Sequence, residues 1–219
     1  MFFGSFTSPS RCLQCCANWV AFGMESGAGT VNLSLLPEKL YNMCIVGNIE
    51  EVRKALTGGV DPTQKVGQSG FTALHAAAKG GHLVVVELLL EQPGVDVNAA
   101  TDRGFTVLHI TAGFGHMEIL ALLLRQPGLD LNVATHGGST ALHLSAGHGH
   151  LEVVTLLLQQ PQVDPNVRDQ DGNTPIMRLL KRNHNVDIKR ACLQSFVDSN
   201  EVDLDGKDGE GDGLEDLAR

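Results

Sequence analysis

Short apolar runs alternate with polar, Gly-rich segments along most of the chain. The runs Leu83–Leu90 and Leu151–Leu158 are eight residues long and consist of Leu and Val with single Glu or Thr interruptions. Each run is followed within three residues by a proline, which cannot continue a helix. The pattern predicts short helices with large apolar faces. Two such helices cannot bury these faces alone, so neighbouring units must stack on one another.

Three signatures recur with a period of 34 residues, which indicates an internal repeat. The first is Gly-x-Thr-x-Leu-His, the second is Gly-His, and the third is Val or Leu followed by Asp-x-Asn. The first occurs at 70–75, 104–109 and 138–143 with a variant at 172–176; the second at 81–82, 115–116 and 149–150 with Asn183-His184 after them; the third at 95–98, 129–132, 163–166 and 197–200.

Each repeat contains the signals for two helices and a turn. A threonine stands where its hydroxyl can satisfy free backbone N–H groups at a helix start. A glycine precedes the histidine of the second signature, as a left-handed helix end requires. The second helix stops before a proline, and a polar loop leads to the next unit. The threonines are Thr72, Thr106, Thr140 and Thr174, and the prolines are Pro93, Pro127 and Pro161.

These motifs closely resemble the ankyrin repeat over residues of about 37 to 205. The resemblance implies an all-α solenoid of about five stacked helix-turn-helix-hairpin units, at about 37–69, 70–103, 104–137, 138–171 and 172–205. The first and last units carry extra charged residues, as terminal caps require. The sequence departs from the family where Ala73, Val107 and Ala141 replace the usual proline. It departs again where Thr101 and Thr135 replace a hairpin aspartate, so we expect those hairpins to be held less rigidly.

Composition bounds the function classes. The chain has 219 residues, 16 Lys and Arg against 25 Asp and Glu, and a formal net charge of -9. Its 42% hydrophobic content fits a globular chain, and the sequence has no run near the ~20 apolar residues of a membrane span. A net negative charge argues against nucleic-acid binding. Residues 198–219 hold nine acidic and two basic side chains, and we expect 206–219 to be a disordered acidic tail.

The first 36 residues are expected to be flexible or dispensable. A signal peptide and a biological start at Met24 are both alternatives for residues 1–23. Five cysteines, three of them Cys12, Cys15 and Cys16, argue against a disulfide framework and for a cytoplasmic or nuclear location. That cluster is either a lipidation site or without function.

No catalytic, cofactor or metal motif stands out, so the sequence predicts a protein that is not an enzyme. His75, His109 and His143 occur once per repeat, so they are expected to lie too far apart to share a zinc ion. We favour inter-repeat hydrogen bonding as their role. A calcium-loop imitation at 201–206 lacks the acidic end residue and flanking helices. Asn98, Asn132 and Asn166 resemble sites of asparaginyl hydroxylation in ankyrin loops. Alternatively, these asparagine side chains have only a structural role and hydrogen-bond the backbone of the turn.

The resemblance implies protein–protein recognition, as adaptor, scaffold or inhibitor, through a concave surface of hairpin tips and first helices. Aromatic and basic residues on it predict a protein or peptide partner with an apolar anchor and acidic flanks. We expect a monomer. The alternatives are a transcription-factor inhibitor similar to the Rel-inhibitor proteins, and an array autoinhibited by its tail at Lys181 and Arg182. The predicted binding residues are Gln68, Ser69, Phe71, Lys79, Asp102, Arg103, Phe105, Phe114, His136, Ser139, His148, Gln170, Asp171, Asn173, Lys181 and Arg182.

Overall fold

The computed structural model of the chain describes residues 37–182 and 185–199. All of them lie within one compact unit, Leu33–Arg219. The predictions for residues 1–36 and for the acidic tail at 206–219 lie outside the described residues. So do the calcium-loop imitation and the Asn183-His184 pair.

Helices occur in pairs, and the described residues contain ten helices and no strands. The all-α prediction is confirmed. In chain order the helices are α1 Pro37–Val46, α2 Ile49–Thr57, α3 Ala73–Gly80, α4 Leu83–Leu90, α5 Val107–Phe114, α6 Met117–Leu123, α7 Ala141–His148, α8 Leu151–Leu158, α9 Pro175–Lys181 and α10 Val186–Asp198.

Stacking in two parallel layers builds the core. First helices α1, α3, α5, α7 and α9 contact one another in sequence, and the second helices do the same. Equivalent leucines of the second helices, Leu89, Leu123 and Leu157, are fully buried between the layers. Burying one such side chain stabilises the fold by about 1.5–3 kcal/mol. The apolar runs seen in the sequence therefore supply much of the core of the stack.

Glycine turns join the two helices in the second, third and fourth pairs, as predicted. Gly81, Gly115 and Gly149 each have φ near +75° and end the first helix in the left-handed conformation. The second helices α4, α6 and α8 stop three or four residues before their prolines. None of the helices in the described residues is long and apolar enough to cross a membrane.

The polar loops form turns that are bonded to one another. The amide N–H of Asp102 donates to the Ser69 carbonyl, and that of His136 donates to the Arg103 carbonyl, at 3.1 and 3.0 Å. The hydroxyl of Thr101 accepts from the Phe105 N–H at 3.0 Å, whereas Asp169 accepts from two backbone N–H groups. The threonine thus makes one of the two backbone hydrogen bonds that the aspartate makes. These hairpins are held by fewer bonds than the one with Asp169, but they keep the same turn.

The last helix corrects one prediction about the repeat register. Helix α10 is 13 residues long, while α4, α6 and α8 have 8, 7 and 8. Val197 and Asp198, which were predicted to begin a fourth Asp-x-Asn loop, are instead the last residues of α10. The Asp198 carboxylate accepts from the Gln194 side chain in the same helix, at 2.7 Å. The 34-residue period therefore ends within the fifth pair.

Candidate functional site

Buried histidines connect successive repeats. The Nε2 atoms of His75, His109 and His143 lie 3.0–3.1 Å from a backbone carbonyl 30 residues further along the chain. The predicted inter-repeat hydrogen bonding is confirmed. These bonds fix each first helix against the hairpin of the next unit, and so set the spacing of the surface that the helices and hairpins share.

The protonation of these rings follows from their partners. A carbonyl can only accept, so Nε2 carries the proton and Nδ1 must accept. In the second repeat, Nδ1 of His75 lies 2.8 Å from the Thr72 hydroxyl and accepts from the Thr72 N–H at 3.2 Å. Burial lowers the pKa of His75 and His109 to about 4, and it also lowers the pKa of His143. These side chains are neutral structural groups at neutral pH, not general bases.

A second set of histidines holds the helix turns. Nε2 of His82, His116 and His150 lies 3.0–3.4 Å from a carbonyl 37 residues earlier. Each ring rests on a glycine of the preceding turn: a Cβ at Gly115 would lie 2.6 Å from Nδ1 of His150. The turn glycines are therefore required both for their positive φ and for the close approach of the ring.

An open groove runs over the first helices and hairpins of the second, third and fourth repeats. Its volume is about 610 Å³. Helices α3, α5 and α7 form its floor, and the hairpins form one wall. Its lining residues are Ser69, Phe71, Lys79, Thr101, Arg103, Phe105, His109, Ile110, Gly113, Phe114, Leu144, His148 and His150.

Aromatic rings in the groove differ in how available they are. Phe71 is partly buried, with its ring centroid 6.5 Å from that of Tyr41 and 5.8 Å from that of His75. Phe105 packs on His109 in the same way, at 6.0 Å. Phe114 is 53% exposed and stacks on His116 at 6.1 Å. Among the three phenylalanines, Phe114 therefore offers the most surface to a ligand.

The groove brings together about half of the binding residues predicted from the sequence. Of the others, seven lie on exposed hairpin tips or at the end of α9, and two are buried. The predicted residues that line it are Ser69, Phe71, Lys79, Arg103, Phe105, Phe114 and His148; the exposed ones outside it are Gln68, Asp102, His136, Gln170, Asp171, Lys181 and Arg182.

Two predicted binding residues are buried, and their prediction is corrected. Ser139 and Asn173 are 7% and 4% exposed. Their carbonyls accept the inter-repeat bonds of His109 and His143, and the Asn173 N–H donates to Asp169. They occupy the hairpin position of Phe71 and Phe105, but the Ser139 hydroxyl accepts from Arg178 and the Asn173 side chain donates to Asp169, each at 3.4 Å, and neither residue lines the groove.

Three residues on the concave face were missed by the sequence reasoning. Ile110 and Leu144 line the groove one helical turn before Phe114 and His148, and Arg178 holds the same position in the fifth repeat. The i, i+4 spacing from a predicted surface residue would have found them. Nε of Arg178 donates to the buried Asp169 carboxylate at 2.6 Å. Although burial opposes it, this bond and the Asn173 N–H lower the pKa of Asp169.

The third-signature asparagines bond one loop to the next. Nδ2 of Asn98 donates to the Gly128 carbonyl at 2.7 Å, and its Oδ1 accepts from the Asp130 N–H at 3.0 Å. Asn132 makes the same pair of bonds to Gln162 and Asp164. Both ends of these amides are thus in use for stacking. Hydroxylation at Asn98, Asn132 and Asn166 stays a prediction.

The described residues offer little for other chemistry. In residues 37–182 and 185–199, no three His, Cys, Asp or Glu side chains come together as a metal site. Burial raises the pKa of the Cys44 thiol to about 12 and also raises that of Cys192. A protonated thiol is a poor nucleophile.

Comparison with known families identifies the class of protein. Residues 40–135 and 94–169 match the family model for ankyrin repeats, which is described as three copies. The two matches together span more than half of the chain, and the chain belongs to the ankyrin-repeat family. Ankyrin repeats are generally protein–protein interaction modules. No curated protein matches the sequence.

Proposed function

We propose that the protein is a non-enzymatic recognition module that binds a protein segment in the groove of repeats two to four. The observation that carries this proposal is the exposed Phe114 ring beside Ile110 and Leu144, in an open groove of about 610 Å³. Phe114 is exposed, Leu144 is half-buried and Ile110 is buried, so the groove offers one protruding ring on an apolar lining, which is typical of a ligand site. The anchor of the ligand is therefore an apolar side chain packed against Phe114.

The charge of the groove defines what flanks that anchor. Lys79 and Arg103 line the groove and are exposed, and no acidic side chain lines it. Lys65 lies 3.7 Å from Asp102 on the adjoining hairpin. Cations around an apolar centre favour a segment with Asp or Glu on either side of its anchor. We propose such an acidic-flanked segment as the partner, with the protein acting as adaptor, scaffold or inhibitor.

A selection from a displayed library of random 12-residue peptides tests both features. Peptides that bind the full chain should share one aromatic or large aliphatic residue with acidic neighbours. The Phe114→Ser variant should bind the selected peptides at least about tenfold more weakly, since anchors of this kind commonly contribute more than ~2 kcal/mol. The Lys79→Ser/Arg103→Ser variant should weaken them less and reduce their salt dependence.

A matched control separates recognition from folding. Val84 is 50% exposed and does not line the groove, so Val84→Ser removes a similar exposed apolar surface elsewhere. It should leave peptide affinity unchanged. If Phe114→Ser and Val84→Ser bind the selected peptides equally well, the groove is not the binding site and the proposal fails.

A further inference from the structure

We propose that the chain carries a second docking surface, on its turn edge, for a protein segment that combines apolar and basic side chains. The turn edge is the side of the stack where the first helix of each pair ends and the second begins. Val84 and Met117 form the centre of this surface, and Glu50, Glu87 and Glu118 flank it. The surface is separate from the groove and does not depend on the function proposed for the groove.

Exposed large apolar side chains are concentrated at this edge. The described residues contain seven of them, and three lie on α10. The other four stand at the end of a first helix or at the start of a second helix in repeats one to three; they are Val46, Val84, Phe114 and Met117. Phe114 lines the groove. Single exposed hydrophobic residues are ordinary, but their concentration on one edge favours an interaction surface.

The stability of α4 does not explain Val84, which is the second residue of this helix. In the other four second helices the second residue is acidic, at Glu50, Glu118, Glu152 and Asp187. A carboxylate in the first turn stabilises a helix because it faces the positive end of the helix dipole. Helix α4 has no acidic residue in its first turn and exposes half of a valine side chain there instead. Val84 gives up this stabilisation, which favours a role in binding.

Val84 and Met117 lie close enough together for one segment to contact both. They stand at the start of α4 and α6, which contact each other, and packed helices lie about 8–10 Å apart. Val84 is 50% and Met117 41% exposed. Leu88 and Ala121 follow them at i+4 spacing on the same helix faces and are half-buried. The partner therefore needs two apolar side chains about 8–10 Å apart.

Carboxylates flank this apolar pair. Glu50 and Glu118 occupy the position of Val84 in the preceding and the following repeat, and Glu87 lies one helical turn further along α4. All three glutamates are exposed. Among the described residues, Glu87 and Glu118 have no ion-pair partner. Negative charge around an apolar centre favours a segment with Lys or Arg beside its apolar residues.

Basic side chains near the turn edge do not cancel its charge. Lys54 on α2 is paired with Glu51 at 2.7 Å, and Arg53 beside it is exposed. One arginine against three carboxylates leaves this part of the edge negative. Lys79, near the end of α3, lines the groove. The turn edge and the groove therefore select segments of opposite charge, and one chain can hold two partners at once, as an adaptor does.

Peptide selection with a chain whose groove lacks its anchor tests the proposal. The bait is the Phe114→Ser chain, and the probe is a displayed library of random 12-residue peptides. It should enrich a family with two large apolar residues and several Lys or Arg. In the same background, Val84→Ser and Met117→Ser should each bind these peptides at least about fivefold more weakly. The matched control is Val197→Ser, because Val197 is 52% exposed on α10. It should leave the affinity unchanged.

Two glutamates at the same repeat position test the charge. Glu118→Gln removes a carboxylate next to Met117, so it should weaken the basic peptides about two- to fivefold and reduce their salt dependence. Glu152→Gln removes the equivalent carboxylate one repeat further from Val84. It should change the affinity by less than about twofold. Equal effects of the two variants would contradict the charge assigned to this surface.

Three results would overturn the proposal. The first is that the Phe114→Ser bait enriches no family with apolar and basic residues. The second is that Val84→Ser and Val197→Ser change the affinity of the enriched peptides equally. The third is that restoring Phe114 raises this affinity at least about tenfold, which would place the peptides in the groove. The groove itself is tested with acidic-flanked peptides, so either proposal can fail while the other stands.

Discussion

At the scale of single residues, the recurring threonine and histidine act as one unit. Nδ1 of His109 accepts a hydrogen bond from the Thr106 N–H and lies 2.9 Å from the Thr106 hydroxyl. Nε2 of the same ring donates to the Ser139 carbonyl in the next repeat. Only a neutral ring with its proton on Nε2 can make all these bonds. The recurrence of this threonine and histidine in the sequence predicts that the histidine bonds the next repeat. The tautomer follows only from the partners that the fold supplies.

Removing one hydroxyl should therefore cost stability only where a histidine is present. Thr106→Val should lower the free energy of unfolding by about 1–2 kcal/mol, since it deletes a buried hydrogen bond. Thr174 has the same place in the fifth repeat, but the residue three positions later is Met177, and the buried hydroxyl has no hydrogen-bond partner among the described residues. Thr174→Val should be neutral or slightly stabilising. Urea denaturation of both variants checks the difference, and equal losses would contradict the role given to the histidine.

Acid should destabilise the array through the same rings. Burial places the pKa of His75 and His109 at about 4 in the folded state, below the ordinary value of 6.5. The unfolded chain then binds more protons between these values, so stability falls as pH drops from about 6.5 to 4. The slope is on the order of 1 kcal/mol per pH unit for each histidine. Denaturation at a series of pH values should show a shallower fall for His109→Gln, and an identical slope would refute it.

At the scale of helices and turns, glycine positions are predictable but their reasons differ. Gly115 and Gly128 have almost the same φ, 75° and 77°. A Cβ at Gly128 would meet nothing within 4 Å, whereas one at Gly115 would collide with His150. The sequence marks both as turn glycines. Only packing shows that one also makes room for a ring of the next repeat.

Alanine at these two glycines should separate conformational strain from packing. Gly128→Ala should cost about 1–2 kcal/mol, which is the strain of a left-handed alanine. Gly115→Ala should cost about 1–2 kcal/mol more, because His150 must move and lose its bond to the Gly113 carbonyl at 3.0 Å. Thermal unfolding measures both. If the two variants have the same melting temperature, the ring does not depend on this glycine.

Element lengths were less predictable than element types. The Asp-x-Asn pattern at 197–200 satisfies the 34-residue register, yet its first two residues belong to α10. Helix α10 continues because Phe196 and Cys192 are fully buried on its inner side, and tertiary packing outweighs the local loop signal. The groove was also predicted only in part, because the repeat pattern alone does not show which side chains are buried by packing. Repeat position identifies Phe114, but it does not predict that Ser139 and Asn173 are buried, with side-chain hydrogen bonds to Arg178 and Asp169.

At the scale of the whole molecule, the buried side chains form two groups that meet in the third repeat. One extends from Leu40 to Leu123 and the other from Leu108 to Phe196. Each repeat contacts only its neighbours, so stability is approximately a sum of local terms. The groove spans the third repeat, where the two groups meet. A ligand bound there would contact both groups and stabilise the centre of the stack more than either end.

Two buried thiols allow this local coupling to be measured. Cys44 lies in the first group and Cys192 in the second, both fully buried, with burial raising the pKa of each. Alkylation therefore requires opening of the repeat that holds the thiol. In a chain with Cys12, Cys15 and Cys16 replaced by Ser, Leu40→Ala should speed alkylation of Cys44 at least about tenfold, since such cavities cost 2–5 kcal/mol. Cys192 should change by less than about twofold.

The reciprocal variant completes the argument about coupling. Phe196→Ala removes a fully buried ring near Cys192, so that thiol should react faster while Cys44 stays slow. Mass spectrometry of pulse-alkylated protein reads both sites in one sample. If either variant accelerated both thiols equally, the array would open as one cooperative unit, and a ligand in the groove would then protect both ends alike. Unequal acceleration means that the ends open independently, so a partner bound at the third repeat protects mainly the repeats it touches.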